Sequence, residues 1–208
     1  MTSQPVVLPA IWQPAVTLIW ASVVIMGSPG PSTMSVTAVG AAYGFRRSLG
    51  YACGLIVGTI VVLLVIAIGI VTIVLSIPHA APMLVAVSAV YLLYLAFRIA
   101  TAPPLAGQRG KLPPPAFAGG FLLAIANPKA YLAIAAVFAG TSIFGEDHAL
   151  DAAVKTALLS AMIVTIHIGW LSAGASLSRI LQDPTSSRIV NVSLAISMVV
   201  MTLFALLG

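Results

Sequence analysis

Gly27-Ser28-Pro29-Gly30-Pro31 stands inside the first apolar stretch of the chain, Ala10–Gly44. Two prolines and two glycines within five residues cannot continue a helix, because proline removes a donor and clashes with the turn before it. In hydrocarbon each unpaired backbone group costs several kcal/mol, so a break of this kind is tolerated only where it lines a protein cavity. Whether the surroundings are hydrocarbon follows from composition. The chain has 208 residues, 61% hydrophobic and 6% charged, with a mean hydropathy of +1.15. A soluble domain carries about a quarter charged residues, so this chain is read as an all-α polytopic membrane protein.

Working outward from the break, spans of about 20 apolar residues are expected at Ala10–Gly44 (interrupted), Ser48–Ile77, Pro82–Ala100, Ala116–Ala139, Ala152–Leu177 and Ile189–Leu207. The second is longer than a crossing requires and predicts tilt or an overhang into water. Proline-rich Thr101–Pro115, carrying Arg109 and Lys111, is the one clear hydrophilic linker. The chain therefore reads as a single transmembrane domain, 1–208, with a first repeat at about 8–100, a linker at 101–115 and a second repeat at about 116–208.

No charge precedes Arg46, so the N-terminus lacks the basic region of a cleavable signal peptide. With six spans, Arg46, Arg47, Arg98, Arg109, Lys111, Arg179 and Arg188 collect on one side, and Lys155 falls on the other with Glu146, Asp147 and Asp151. The positive-inside bias makes the first side cytoplasmic and places both termini outside. If Ala10–Met26 crosses fully and Ser32–Phe45 re-enters, the N-terminus alone changes side. The same bias accounts for a pI near 9.8 without nucleic-acid binding. The single cysteine, Cys53, excludes an internal disulfide and a cysteine-built metal site.

The fourth stretch is broken too, at Asn127-Pro128-Lys129. Each three-span half is odd-numbered, so the second enters the membrane inverted. Paired broken helices in inverted halves mark transporters whose site lies where the breaks meet; the alternative is coincidence between two proline kinks. After each break a helix begins, at Ser32-Thr33 and at Lys129-Ala130, and helix N-termini favour an anion such as a carboxylate. Ser32 and Thr33 either touch that anion or act only as caps.

Lys129 lies about 18 Å into its span at 1.5 Å per residue, past the middle of a core about 30 Å thick. With no acid in any expected span, its partners are an incoming carboxylate, the carbonyls freed by the break, or water; the alternative is snorkelling outward. His167, with Trp170 one turn on, either relays protons or is a neutral histidine bonded across helices. Gly50, Gly54 and Gly58 share one face and predict close helix packing. Tyr91, Tyr94 and Phe97 read as packing and interfacial anchors, and His79 and His148 fall in outer loops.

No carboxylate pair, phosphate loop, nucleotide domain or nucleophile–base arrangement is present, so an enzyme and an ATP-driven pump are not expected. No cofactor and no metal site are expected, the spans offering no carboxylates for a hard ion. Gradient-driven transport remains, with a metal-ion exporter or a non-transporting membrane scaffold as alternatives.

These residues resemble the LysE/RhtB family of amino-acid exporters. Pro29-Gly30-Pro31-Ser32-Thr33 is similar to its Pro-Gly-Pro motif, Gly50/Gly54/Gly58 to its second-span glycines, and Tyr91-Leu92-Leu93-Tyr94-Leu95 with Arg98 to its third-span ending. Gly120-Phe121-Leu122-Leu123 followed by Asn127-Pro128-Lys129-Ala130 resembles its fourth-span motif, and His167-x2-Trp170 its fifth. Ser32 and Ala124 stand where the family usually has Asn, Val62 where it often has His, and Ala136–Ala139 lacks the usual exit sequence. The resemblance implies export of amino acids or derivatives across the bacterial inner membrane by proton exchange. The partners implied are a small-molecule substrate and the lipid bilayer; a homodimer is compatible with the sequence. The substrate would be held by Pro29, Gly30, Pro31, Ser32, Thr33, Asn127, Pro128 and Lys129, with His167 as the proton-coupling candidate.

Overall fold

A computed structural model describes residues 12–69, 80–101, 113, 115–180 and 184–207. The described residues are all-helical: α1 (Trp12–Ala21, continued by a π turn at Ser22–Met26), α2 (Pro31–Tyr43), α3 (Phe45–Ala67), α4 (Ala80–Ala100), α5 (Phe117–Ala126), α6 (Pro128–Ala139), α7 (His148–Ile180) and α8 (Pro184–Leu207). By length and composition, Phe45–Ala67 and His148–Leu177 can each cross a membrane, and Trp12–Met26 with Pro31–Tyr43, and Phe117–Ala126 with Pro128–Ala139, are long and apolar enough to do so if each bent pair is one span. The bends are 70° and 63°. Both expected breaks are present.

Helix boundaries follow the chemistry of the residues at the ends. α2 and α6 each begin with proline at the first helical position, where its missing donor costs nothing. That shifts both starts one residue earlier than expected, with Gly30 and Asn127 as the caps. Gly44 (φ 77°) reverses the chain between α2 and α3. α3 stops at Ala67, short of the expected Ile77: Gly69 takes a left-handed φ of 74° and donates to Ile66 O, which ends the helical ladder; residues 70–77 lie outside the described ones. α7 begins at His148, ahead of Ala152, because Asp147 Oδ1 accepts the Leu150 N–H at 3.0 Å as an N-cap. The 101–115 linker is described only at residues 101, 113 and 115, and His79 also lies outside.

Two glycine-mediated contacts fix the helix pairing. A Cβ on Gly54 would collide with the Phe117 carbonyl, and one on Gly120 with the Tyr51 carbonyl, so α3 and α5 touch backbone to backbone. Gly40 meets Leu171 and Ala175 while Gly174 meets Thr37, joining α2 to α7 in the same way. Gly58 joins the α3–α5 seam, but Gly50, expected on that face, meets nothing within 4 Å. Near the helix start the seam has already turned away from it.

These contacts set the ends of the molecule. The start of α3, the start of α5 and the ends of α2 and α7 lie together, carrying Arg46 and Arg47. At the opposite end Lys155 reaches back to the Phe138 and Thr141 carbonyls at 2.9 and 3.0 Å and pairs with Asp151 at 2.8 Å. Asp151 in turn accepts from the Ile143 and Phe144 N–H groups. Lys155, counted from sequence as a loop cation, is instead a buried fastener of the 140–147 loop.

Buried side chains form two apolar clusters. One, around Val39, Tyr51, Leu95, Leu123 and Leu171, fills the Arg46 end; the other, around Leu18, Leu63, Ile134 and Leu159, fills the Lys155 end. Between them, where α2 and α6 start and diverge, the interior turns polar.

Candidate functional site

The first break takes residues 27–30 out of the regular helix, and most of their backbone groups have found other partners. Gly27 N–H donates to Ser22 O at 3.0 Å, closing the π turn. Gly30 N–H donates to Thr33 Oγ1 at 2.9 Å, so Thr33 secures the start of α2 from its third position. The carbonyls are reached from other helices: Trp170 Nε1 of α7 donates to Gly27 O at 3.0 Å. Lys129 Nζ donates to Ser28 O, Ser28 Oγ and Pro29 O, each at 2.8 Å. An ammonium has three donors, and these three oxygens use them all.

The second break spans a single residue. Asn127 Oδ1 accepts the Lys129 N–H at 3.2 Å, an N-cap on α6, and its Nδ2 donates to Ser32 Oγ at 2.8 Å. Of the two hydroxyls expected as caps or contacts, Thr33 caps and Ser32 bridges to the other break. Asn127 is 3% exposed and Ser32 8%, so this bond is shielded and worth more than a surface one.

Between the breaks lies a cavity of about 40 Å³ lined by Ser28, Gly30, Ser32, Thr33, Thr59, Asn127, Lys129 and His167. Met26, Ala130, Ala133, Ile134, Ile163 and Ile166 complete its wall. That volume takes a few water molecules. His167 Nδ1 donates to the Ile163 carbonyl one turn back at 2.8 Å. Its Nε2 is buried with no hydrogen-bond partner among the described residues.

Six of the residues singled out from sequence, Gly30, Ser32, Thr33, Asn127, Lys129 and His167, thus line it from three separate regions of the chain. Pro29, Pro31 and Pro128 do not line the cavity: Pro31 and Pro128 start helices, and Pro29, exposed, contributes only its carbonyl. Ser28 and Thr59 were not singled out from sequence. Ser28 lies inside the quoted motif and its position beside two prolines was the available signal; Thr59, mid-helix and bonded to Leu55 O, gave none. Lys129 does not snorkel. Its charge is met by the carbonyls of the opposite break. Among the described residues no group of three or more His, Cys, Asp or Glu could hold a metal ion.

The model of the LysE type translocator family matches residues 21–207, covering both breaks, the cavity and every helix after α1. The chain belongs to this family. It is a transporter, and its apolar helices are those of an integral membrane protein. Over 197 residues it is 30% identical to the cysteine/O-acetylserine efflux protein of Salmonella typhimurium (strain LT2), covering 94% of this chain and 95% of the relative. Proteins of the same name from Shigella flexneri serotype 5b and Escherichia coli K12 are 29% identical over the same shares. No solved structure matches the chain.

Proposed function

We propose that the chain exports small polar amino acids or their derivatives across the bacterial inner membrane, from six spans in two inverted halves, by exchange with protons. The observation that carries this reading is the direct bonding of the two breaks around one polar cavity, Asn127 to Ser32 and Lys129 to Ser28 and Pro29, inside an otherwise apolar molecule. α2 and α6 start there and lead to opposite ends, the relation expected of inverted halves. Arg46 and Arg47 at the end of α2 make that end cytoplasmic and put both termini outside.

In this reading the substrate carboxylate sits on the first-turn N–H groups of α2, at Ser32 and Thr33, which have no acceptor within their helix. Asn127 and Lys129 face it from the other half. His167 carries the proton. With Nδ1 committed to Ile163, its Nε2 is the lone pair that a proton entering the cavity would reach. The efflux of cysteine and O-acetylserine named for the relatives supports a substrate with a short polar side chain.

Counterflow in proteoliposomes holding only this protein tests the reading. Labelled O-acetylserine, cysteine and serine should accumulate against unlabelled internal substrate, and an imposed pH gradient should drive net movement. Failure of every amino acid in a full panel overturns export; movement unaffected by the gradient, or a normal pH response in His167→Ala, overturns the proton coupling assigned to His167.

A further inference from the structure

We infer that the oxygen cradle at the first break is a primary-ammonium subsite, which Lys129 fills from within the protein and which the substrate's own α-ammonium takes over. The inference rests on the export reading for its ligand and on geometry for the site. Ser28 O, Ser28 Oγ and Pro29 O each stand 2.8 Å from the Lys129 ammonium. That is the full complement of acceptors such a group can use. All three are neutral dipoles, so nothing in the cradle requires that the ammonium be tethered. A lysine is also the cation best able to leave, being a point charge on a flexible four-carbon stem.

Gly30 shows that the neighbouring backbone is shaped around this stem. Its φ of −172° is extended backbone, open to any residue, so glycine is not required there for conformation. What it supplies is space: a Cβ at Gly30 would lie 2.7 Å from Lys129 Cδ and 2.8 Å from its Nζ, so the stem could not keep this position and would have to shift. The glycine of the first motif thus leaves room for the lysine of the second to lie across it. With Lys129 in place the cavity is about 40 Å³, and the lysine itself forms part of its wall. Withdrawal of the stem both vacates the cradle and enlarges the cavity.

The exchange conserves charge at each step. The arriving α-ammonium takes the carbonyls of Ser28 and Pro29, and the released Lys129 ammonium pairs with the arriving carboxylate. Neither Lys129 nor the carbonyls are left unpaired in the apolar interior, which would cost several kcal/mol per group. His167, buried and with an unpartnered Nε2 on the same cavity, offers a further acceptor beside the displaced group. A molecule lacking the α-ammonium cannot make this exchange, and it would have to leave Lys129 in place or the carbonyls bare.

Two measurements test this separately from export itself. In purified Lys129→Ala, n-propylammonium replaces the atoms removed and should raise the melting temperature saturably by about 3 °C or more. Tetramethylammonium, which has no N–H, and 1-propanol, which has no charge, should not, and the wild type should not respond. Equal responses to all three probes, or none to propylammonium, overturn the cradle. If Lys129→Ala does not fold, Gly30→Ala is read instead: it should lower stability with Lys129 present and cost little in a Lys129→Ser background, which has no δ atom, and an equal cost in both backgrounds overturns the contact. In wild-type proteoliposomes, serine should move at least about tenfold faster than 3-hydroxypropanoate, which lacks only the amino group. Equal rates overturn the ammonium subsite while leaving export intact; absence of any amino-acid movement, with propylammonium still bound, overturns export and leaves the cradle.

Discussion

The two breaks do the same thing to the chain and opposite things for the site. The first opens four residues, 27–30, and offers backbone: the carbonyls of Gly27, Ser28 and Pro29 all accept from side chains of distant helices. The second opens one residue and offers side chains: Asn127 and Lys129 both reach across to the first. A wide break exposes acceptors that a short one does not, because each residue removed from the helical ladder frees a carbonyl. A short break with a capping side chain keeps its own backbone paired and can lend its remaining donors elsewhere. The two are complementary: one is a set of acceptors, the other a set of donors, and the cavity forms where they meet.

Removing the donors should do the most harm. Lys129→Ala leaves the Ser28 and Pro29 carbonyls unpartnered; efflux should fall to background, and stability should drop by about 2–4 kcal/mol, read as a melting temperature lower by about 4–16 °C in detergent. Efflux intact at normal protein level would show the donors to be structural only. Asn127→Ala removes both a cap and the bond to Ser32, for about 1–3 kcal/mol. Asn127→Asp keeps the cap but loses the Nδ2 donor, so it should recover only part of the stability; full recovery would mean that the bridge to Ser32 contributes nothing.

On the acceptor side the effects should be smaller, since several groups share the load. Thr33→Val deletes the acceptor for Gly30 N–H and should cost about 1 kcal/mol, restored by Thr33→Ser; a Val variant as stable as wild type would remove Thr33 from the device. Smallest is Trp170→Phe, which keeps the ring packing and loses one bond to Gly27 O, for about 0.5–1.5 kcal/mol. Should it exceed the Asn127→Ala effect, the ranking of the two breaks is reversed.

Several of these features were legible in the chain. Both breaks follow from Pro29-Gly30-Pro31 and Asn127-Pro128, because proline's missing donor acts locally whatever surrounds it. The depth of Lys129 followed from counting residues, and the shortage of acids limited its partners to a short set that included the carbonyls found. What did not follow were the pairings. Sequence put Ser32 and Thr33 in one role, and the fold gave them two, since side chains one residue apart on a helix point in different directions. Gly50 read as equivalent to Gly54 and Gly58, yet helices that cross at an angle touch over only part of their length. Lys155 read as a topology marker until Asp151 and the end of α6 were found around it.

The sequence by itself determined that the chain is a membrane protein, where its helices break and which residues stand at the breaks, because composition and proline chemistry are local properties. The tertiary structure decided that the breaks face each other, that Lys129 rests on the carbonyls of Ser28 and Pro29, and that Gly30 makes room for it. These are relations between residues about a hundred positions apart. Only the packing of α2 on α7 and of α3 on α5 brings them within hydrogen-bonding distance.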